Sequence, residues 1–332
     1  RDRLRSRGLG DVYKRQIQNM LADMRRELMS TNPPLGVSTT PAEGFRTHRF
    51  ESEVPLSCST GAIAVSFILS GVKAVTVGGR FISYGAGEGL LSGAALPSTF
   101  RAMHASPEEP FLSVSLALDR ATLIELAEHL PQTDQKENAE LPPEAIFVFE
   151  PTEDLLFDFE RLIKLLKTPE LAPLRAPCII RDIHSLLLAG PTAARLLPLL
   201  RESAPANTVI RAIGWLRRNF DKPISIEALA KLHGMSTSNF HRQFKAVAGM
   251  SPLQFQKQIR LCEAQHLMLA ERAQVSAAAY AVGYESPTQF VRDYKRLFGD
   301  SPLRDVRKRR DFGRTAESIK LVGVEHGTRT AA

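Results

Sequence analysis

The sequence predicts an α+β protein with two dissimilar halves, an N-terminal β-barrel with trailing helices and a C-terminal all-α domain. The C-terminal half contains the same helical unit twice, and the N-terminal half contains short β-rich runs separated by glycine turns. Residues 205–332 carry 21 Lys and Arg against 11 Asp and Glu, a net of +10, whereas residues 1–204 carry 22 against 25, a net of −3. The positive charge therefore lies on the helical half, as expected of a surface that contacts phosphate.

Residues 1–40 are expected to form a disordered or foreign N-terminal tail. Residues 1–16 are rich in Arg, and their last six residues resemble a translated sequencing-adapter sequence. No apolar segment of a targeting peptide follows them. Residues 17–29 are expected to form at most a short helix, and residues 30–41, rich in Pro, Ser and Thr, a mobile linker.

The next domain, residues 41–190, shows the pattern of a small all-β fold. The expected strands are residues 61–69, 72–77, 81–84, 111–118 and 145–150. Ser70-Gly71 and Gly78-Gly79 are turn signals between them. Many short strands with glycine turns favour a sandwich or barrel, here a cupin-like jelly roll. Helices are expected at residues 121–129, 155–166 and 176–188, of which the last two follow the barrel as a packed pair.

Candidate catalytic, metal and cofactor residues are absent from this pattern. His48 and His104 stand alone, without the clustered His and Glu that a metal-dependent cupin needs. Residues 85–89 contain G-x-G, but no helix or P-loop Lys follows, so we expect a barrel turn and not a phosphate cradle. We therefore expect no enzyme and no cofactor, and a small-ligand pocket in the barrel mouth.

The cysteines and the hydropathy pattern indicate the cellular compartment in which the protein is expected. Cys58, Cys178 and Cys262 are widely spaced, and we expect neither a metal pair nor a disulfide framework. No apolar run approaches the ~18 residues of a membrane span. The sequence thus predicts a protein of the reducing cytoplasm without a membrane partner.

The duplicated unit lies within residues 225–304, and each copy reads as a helix-turn-helix. Gly234 and Gly283 mark the turns, and the second copy follows the first at an offset of 50 residues from Phe240 and Phe290 onward. Apolar residues at positions i, i+4 and i+7 predict the buried face of each second helix. Those buried residues are Phe240, Phe244 and Val247 in the first copy and Phe290, Tyr294 and Leu297 in the second.

The remaining positions of the second helices form the candidate reading surface. Polar and basic side chains on a short helix suit the edges of bases in a DNA major groove. The candidate DNA-binding residues are Ser238, Asn239, His241, Arg242, Lys245, Thr288, Gln289, Val291, Arg292 and Lys295. Ser286 and Gln289 also fit a capping box, so Gln289 is expected to cap its helix in the free protein and to read a base when DNA binds.

At residues 210–304 the chain resembles the AraC/XylS family of bacterial transcription regulators. The resemblance implies two helix-turn-helix units joined by a long helix, here residues 252–270. About 18 residues at ~1.5 Å each give roughly 27 Å, on the scale of the ~34 Å between successive major grooves. The chain departs from the family where Arg304-Asp305-Val306 replaces an aromatic-Arg pair after the second Ser-Pro.

The N-terminal half resembles the AraC-type ligand domain through a second set of residues. They are residues 63–69, 71–73, 78–84, 96–97, 105–106, 110–111 and 118–119. The two resemblances imply a jelly-roll sensing domain (41–190), a linker (191–206), a DNA-binding domain (207–311) and a C-terminal tail (312–332). Residues 209–220 are expected to form the lead helix of the DNA-binding domain, with Arg211, Arg217 and Arg218 outward.

The function expected from the family is sequence-specific transcription regulation in response to a small-molecule effector. The implied partners are a double-stranded DNA operator, RNA polymerase, the effector and, through the trailing helices, a second copy of the chain. Two alternatives stay open at this point. One is an architectural DNA-binding dimer without an effector, and the other is a cupin enzyme with an accessory DNA domain.

Overall fold

The structure, a computed structural model, describes residues 2–59, 61–130, 144–201 and 204–315. The strands are β1 (Gly36–Thr39), β2 (Phe45–Phe50), β3 (Ser57–Ser59), β4 (Ala64–Ser70), β5 (Val72–Val77), β6 (Arg80–Gly85), β7 (Gly89–Ser92), β8 (Ser98–Met103), β9 (Phe111–Ala117) and β10 (Ile146–Phe149). The helices are α1 (Asp2–Ser30), α2 (Arg120–Glu128), α3 (Glu153–Lys164), α4 (Ala172–Ala189), α5 (Ala193–Leu200), α6 (Pro205–Arg218), α7 (Ile226–Leu232), α8 (Thr237–Ala248), α9 (Pro252–Ala270), α10 (Val275–Ala281), α11 (Pro287–Phe298) and α12 (Pro302–Thr315).

The strands form two antiparallel sheets that pack face to face. One has the order β1-β2-β9-β4-β7-β10, and the other has the order β3-β8-β5-β6. Side chains of both sheets share one hydrophobic cluster, with Phe50 and Ile68 from the first and Val75 and Ile82 from the second. The sequence therefore predicted the sheet-rich N-terminal fold correctly. We call the volume enclosed between the sheets the inter-sheet space.

The expected disordered tail over residues 1–40 is replaced by ordered elements. Helix α1 runs to Ser30, and Leu21, Met24 and Leu28 on its inner face are buried. Residues 36–39 form β1, paired with β2. The spacing of these apolar side chains, three and then four residues, matches one face of a helix, which gives the segment enough buried surface to pack.

Helices α1, α3 and α4 cover the outer face of the six-stranded sheet. Phe159 of α3 packs edge-on against Phe67 of β4 and Phe45 of β2, at ring-centroid distances of 4.7 and 6.1 Å. His184 of α4 accepts a hydrogen bond from the backbone N–H of Asp119 at 2.9 Å, and burial lowers the pKa of that imidazole. The predicted helix pair after the sheets is present and packs on them.

The expected linker over residues 191–206 contains helix α5. Leu196 and Leu200 are buried in the hydrophobic cluster of the N-terminal half, and Leu199 is buried in the cluster that continues into the C-terminal half. Gly190-Pro191 and Pro205 led to the prediction of a loop. The leucines of α5 recur at helical spacing, however, and pack this segment against the core. Among the described residues no single helix has the length and hydropathy of a membrane span, although the sharply bent pair Pro169–Ala189 and Ala193–Leu200 passes that test together.

The two halves contact each other directly through β3, through the loop that follows it and through the residue before β10. Ala145 donates its backbone N–H to the carbonyl of Val247 at the end of α8, at 3.1 Å. Arg217 of α6 donates to the carbonyl of Gly61 at 3.3 Å. This residue therefore faces the N-terminal half, whereas the sequence pattern predicts that it faces solvent. One hydrophobic cluster continues from the inter-sheet space to Phe240 and Phe244 of α8.

The expectation that no disulfide forms is wrong for one pair of cysteines. Cys58 of β3 and Cys262 of α9 form a disulfide with a Cα–Cα distance of 5.5 Å, although 204 residues separate them. Sequence spacing gives no indication of such a pair, because only the packing of β3 against α9 brings the two residues together. Cys178 is a free and exposed cysteine.

Candidate DNA-binding surface and inter-sheet site

The two reading helices, α8 and α11, begin and end in the same way. Ser236 and Ser286 cap their N-termini by accepting hydrogen bonds from the backbone N–H three residues on, both at 3.4 Å. Gly249 and Gly299 end the helices in the left-handed conformation, with φ of 71° and 80°. Glycine adopts this conformation without the steric cost that a Cβ brings. The sequence repeat thus produces two equivalent short helices.

Turn glycines set each reading helix against the helix before it. Gly234 between α7 and α8 has φ of 68°, and Gly283 between α10 and α11 has φ of 86°. A Cβ at Gly283 would collide with the backbone carbonyl of Asp221, while a Cβ at Gly234 would meet nothing within 4 Å. Gly283 is therefore required by close packing as well as by its backbone conformation.

The inner faces of both reading helices carry the aromatic residues that the sequence predicted. Phe240, Phe244, Phe290 and Tyr294 are completely buried. The Phe244 ring packs edge-on against that of Phe255 of α9, with centroids 5.5 Å apart. In the second unit Leu297 is only partly buried, and the neighbouring Phe298 takes the inner position instead.

A buried polar network anchors the second unit. The Tyr294 hydroxyl donates to Asp305 Oδ2 at 2.6 Å, and Gln265 Nε2 donates to the same carboxylate oxygen at 2.8 Å. Arg309 pairs with the Asp305 carboxylate at 2.9 Å and also donates to Ser57 Oγ of β3 at 3.0 Å. Burial, followed by the charge of Asp305, raises the pKa of Tyr294, so its phenol stays protonated.

The candidate reading residues lie on the outer faces of α8 and α11. Ser238, Arg242, Lys245, Thr288, Gln289, Arg292 and Lys295 are exposed, and Asn239, His241 and Val291 are half-buried. Arg242 donates to Asn239 Oδ1 at 2.9 Å, which orients its guanidinium along the helix surface. The outer faces of α8 and α11 are thus both exposed, basic and similar in composition. Their contacts with DNA bases are a prediction.

The predicted capping box at Ser286 and Gln289 is only half formed. Ser286 accepts from the backbone of Gln289, but α11 lacks the return bond from the Gln289 side chain, which is exposed. A complete capping box is found instead at Ser251 and Gln254, where α9 begins. The extended backbone of Ser286, at φ −128°, differs from that of Ser251, at φ −71°.

The basic run in α12 comprises Arg304 and residues 307–310. Some of these side chains make contacts within the protein, and others are exposed. Arg309 is buried in the network described above, and Lys308 pairs with Asp300 at 2.7 Å. Arg310 donates to the carbonyl of Met268 at 2.9 Å. Arg304 and Arg307 are exposed and have no ion-pair partner among the described residues.

The inter-sheet space contains polar side chains that the sequence did not single out. His48, which seemed isolated, lies 2.9 Å by its Nε2 from Ser115 Oγ. Ser66 Oγ lies 3.1 Å from the Tyr84 hydroxyl of the opposite sheet. Burial, with the charges of Lys73 and then Arg46, lowers the pKa of His48 to about 3. The alternation of residues along a strand indicates which side chains share one face. Only the pairing of the strands in the sheets shows that these particular side chains lie close together.

Comparison with known proteins supports this architecture. A family model described as the AraC-type transcriptional regulator N-terminus matches residues 41–195, and one described as a helix-turn-helix domain matches residues 229–309. The HTH-type transcriptional activator RhaS of Yersinia pestis (strain Pestoides F) is 30% identical over 95 residues, which are 29% of this chain and 34% of that protein. The HTH-type transcriptional regulator GlxA of Rhizobium meliloti is 33% identical over 82 residues, 25% of each chain.

The chain spans about a third of the length of the first curated relatives it matches. A solved structure covers more of it. Unsaturated fatty acid bound ToxT from Vibrio cholerae has a TM-score of 0.54 at 11% identity, covering 79% of this chain and 94% of that one. At this identity the similarity concerns the fold alone.

The repeated units and the domain before them define a helix-turn-helix protein with an N-terminal two-sheet domain. Both family models and the regulator relatives agree with this class. Over residues 41–195 and 229–309 the chain is similar to the AraC/XylS family of transcription regulators.

Proposed function

We propose that this chain is a sequence-specific DNA-binding transcription regulator that responds to a small-molecule effector. The observation that carries the proposal is the duplication. The two helix-turn-helix units, which carry the exposed basic faces of α8 and α11, are joined by the 19-residue helix α9. At ~1.5 Å per residue α9 is about 28 Å long, a length suited to helices in successive major grooves.

The reading roles follow from side-chain chemistry. Arg242 and Arg292 are the main readers, because a guanidinium can donate two parallel hydrogen bonds to guanine O6 and N7. Ser238, His241, Thr288 and Gln289 flank them, and Lys245 and Lys295 are placed for phosphate contacts. The ten exposed or half-exposed positions together form the proposed site.

Selection of bound sequences from random DNA, followed by footprinting, tests the DNA-binding role. We expect one preferred sequence with two protected major-groove segments about one helical turn apart. Arg242→Ala should relax base preference in one segment and Arg292→Ala in the other. Arg175→Ala, an exposed arginine on α4 of the N-terminal half, is the matched control. A single protected segment that neither reading variant alters would contradict the proposal.

The N-terminal half is proposed to be a cupin-like jelly roll that binds the effector. Its two antiparallel sheets enclose a partly polar space, which is the usual form of a small-molecule site. Coupling to DNA follows from the cluster that the inter-sheet side chains share with Phe240 and Phe244. We infer no enzymatic role, because the curated relatives are transcriptional regulators and the described residues contain no cluster of potential metal ligands.

Further partners follow from the same proposal. We propose contact with RNA polymerase at the promoter, pairing of two chains through the trailing helices, and a cytoplasmic location beside the DNA. The exposed apolar side chains Phe157 of α3 and Leu174 of α4 support pairing through these helices. Sedimentation of Phe157→Ser and Leu174→Ser against wild type tests it, with a dimer expected only for wild type.

A further inference from the structure

A line of polar side chains crosses the inter-sheet space. His48 of β2 contacts Ser115, which is paired in register with Ser66 of β4. Ser66 contacts the Tyr84 hydroxyl of the opposite sheet, and Tyr84 is paired in register with Lys73 of β5. Interiors of two-sheet domains are normally filled by apolar side chains. A continuous polar line through this one indicates a site and not ordinary packing.

The inter-sheet space also has an excess of positive charge. Arg46 and His48 alternate along β2 with Phe45 and Thr47, so they share the inward face of Phe50. Arg46 and Lys73 are both close enough to His48 for their charges to lower its pKa. Within the described part of the chain, neither Arg46 nor Lys73 forms an ion pair with a carboxylate.

Unpaired buried cations are unfavourable, and an anion offsets that cost. Burial lowers the pKa of Lys73 to about 8, which leaves most of its ammonium protonated at neutral pH. His48, with its pKa near 3, is neutral there and can accept or donate one hydrogen bond. The space therefore holds two positive charges and at least two neutral hydrogen-bonding groups, His48 and Tyr84.

Apolar side chains lie beside Lys73 and farther along the same row of the first sheet. Lys73 Nζ lies 5.0 Å from the centre of the Phe100 ring. Leu90 of β7 is paired in register with Ser66 and with Val148 of β10, on the inward face. His48 and Lys73 are half-buried, so part of each inward side chain stays accessible to a small molecule.

We propose that the inter-sheet space binds a small organic carboxylate, with Arg46 and Lys73 neutralising its carboxylate group and the apolar side chains Phe100, Leu90 and Val148 holding its body. Charge-assisted hydrogen bonds fix the orientation, and His48 and Tyr84 complete the polar contacts. This inference rests on the proposed function, since it names the chemical class of the effector.

Calorimetric titration of the full chain with matched acids and amides tests the site. The probes are benzoate, hexanoate and decanoate, each compared with its amide. We expect at least one acid to bind, and its amide to bind at least roughly tenfold more weakly, because the amide lacks the charge that the cations require. Binding of amide and acid with equal affinity, or of no acid in the set, would overturn the proposal.

Two variants distinguish the proposed contact from a structural effect. Lys73→Met should weaken binding of the acid at least roughly tenfold, and the unliganded variant should melt at or above the wild-type temperature because a buried charge is gone. Arg46→Met is the second variant and should also weaken binding. Arg101→Met is the matched control, because Arg101 lies on β8 beside Phe100 but is exposed on the other face. Equal losses in Lys73→Met and Arg101→Met would contradict the site.

Mobility-shift assays separate this inference from the proposed regulation. If an acid binds through Lys73 but leaves operator affinity unchanged, the carboxylate site stands and the effector role fails. If an acid changes operator affinity equally in wild type and Lys73→Met, the regulation stands and the inter-sheet site is wrong.

Discussion

At the scale of single residues, the exposed arginines of α8 and α11 carry the sharpest prediction. Arg242→Ala and Arg292→Ala should each weaken operator binding by about 1–3 kcal/mol, because each removes a bidentate contact to guanine. Arg242 is already oriented by Asn239 in the free protein, so little ordering is needed when it binds. Mobility shifts at fixed salt measure the loss, with Arg175→Ala as the control. Operator affinity that neither substitution changes would contradict this assignment.

Gln289 illustrates how the structure sharpens a prediction made from sequence. Its side chain does not close a capping box, so it is free to read a base. Gln289→Glu removes the donor that adenine N7 requires and adds a charge that phosphates repel, so operator binding should weaken while the melting temperature stays near that of wild type. Normal binding by this variant would assign the half-site to Thr288 and Arg292 alone.

Gln254 provides the opposite case, because its capping box is complete. The Gln254 side chain accepts from the backbone N–H of Ser251 at 3.0 Å, and Ser251 Oγ accepts from the backbone of Gln254 at 3.3 Å. Gln254→Ala should therefore cost about 0.5–1 kcal/mol of stability. Chemical denaturation measures this cost, and Gln289→Ala is the control that should leave stability unchanged. Equal losses in the two variants would mean that both side chains cap their helices.

At the scale of elements, the reading helices depend on buried aromatic residues. Phe244→Ala should destabilise the protein by about 3–5 kcal/mol, because the ring is fully buried against Phe240 and Phe255 and its loss leaves a cavity. Leu232→Ala at the end of α7 is the control. That side chain is 64% exposed, so its loss should change stability by less than about 0.5 kcal/mol. A fully stable Phe244→Ala with altered base preference would instead place the ring in the groove.

The elements differ in how much their sequence could reveal. Helix α9 was expected with its observed bounds from the family resemblance, and β5 was predicted with its observed bounds because a glycine turn stands at each end. Strands β2 and β8 were missed, since Arg, His and Thr interrupt their apolar residues. Two of the polar residues of β2, Arg46 and His48, share the inward face of Phe50. Local sequence patterns thus identify elements whose ends are marked by caps or turns. The polar site depends on which strands pair, and local patterns do not reveal that.

At the scale of the whole molecule, β3 is the strand on which the two halves meet. Ser57 of β3 accepts from Arg309 of α12, and the preceding carbonyl of Leu56 accepts from the same guanidinium. Cys58, the next residue, is bonded to Cys262 in the middle of α9. Beside the contacts of α6 and α8, two further helices of the DNA-binding half, α12 and α9, are therefore attached to the N-terminal half at three consecutive residues, Leu56, Ser57 and Cys58.

The disulfide should stabilise the assembled molecule under oxidising conditions. A bond that closes a loop of 204 residues restricts the unfolded chain and is worth about 5 kcal/mol on the chain-entropy model. Reduction of wild type should then lower its melting temperature by about 7 °C. Cys178→Ser should respond to reductant as wild type does, because Cys178 is free, whereas Cys262→Ser should not respond. A reductant effect that persists in Cys262→Ser would show that this bond does not join the halves, and that Arg309 and the packing around β3 hold them without it.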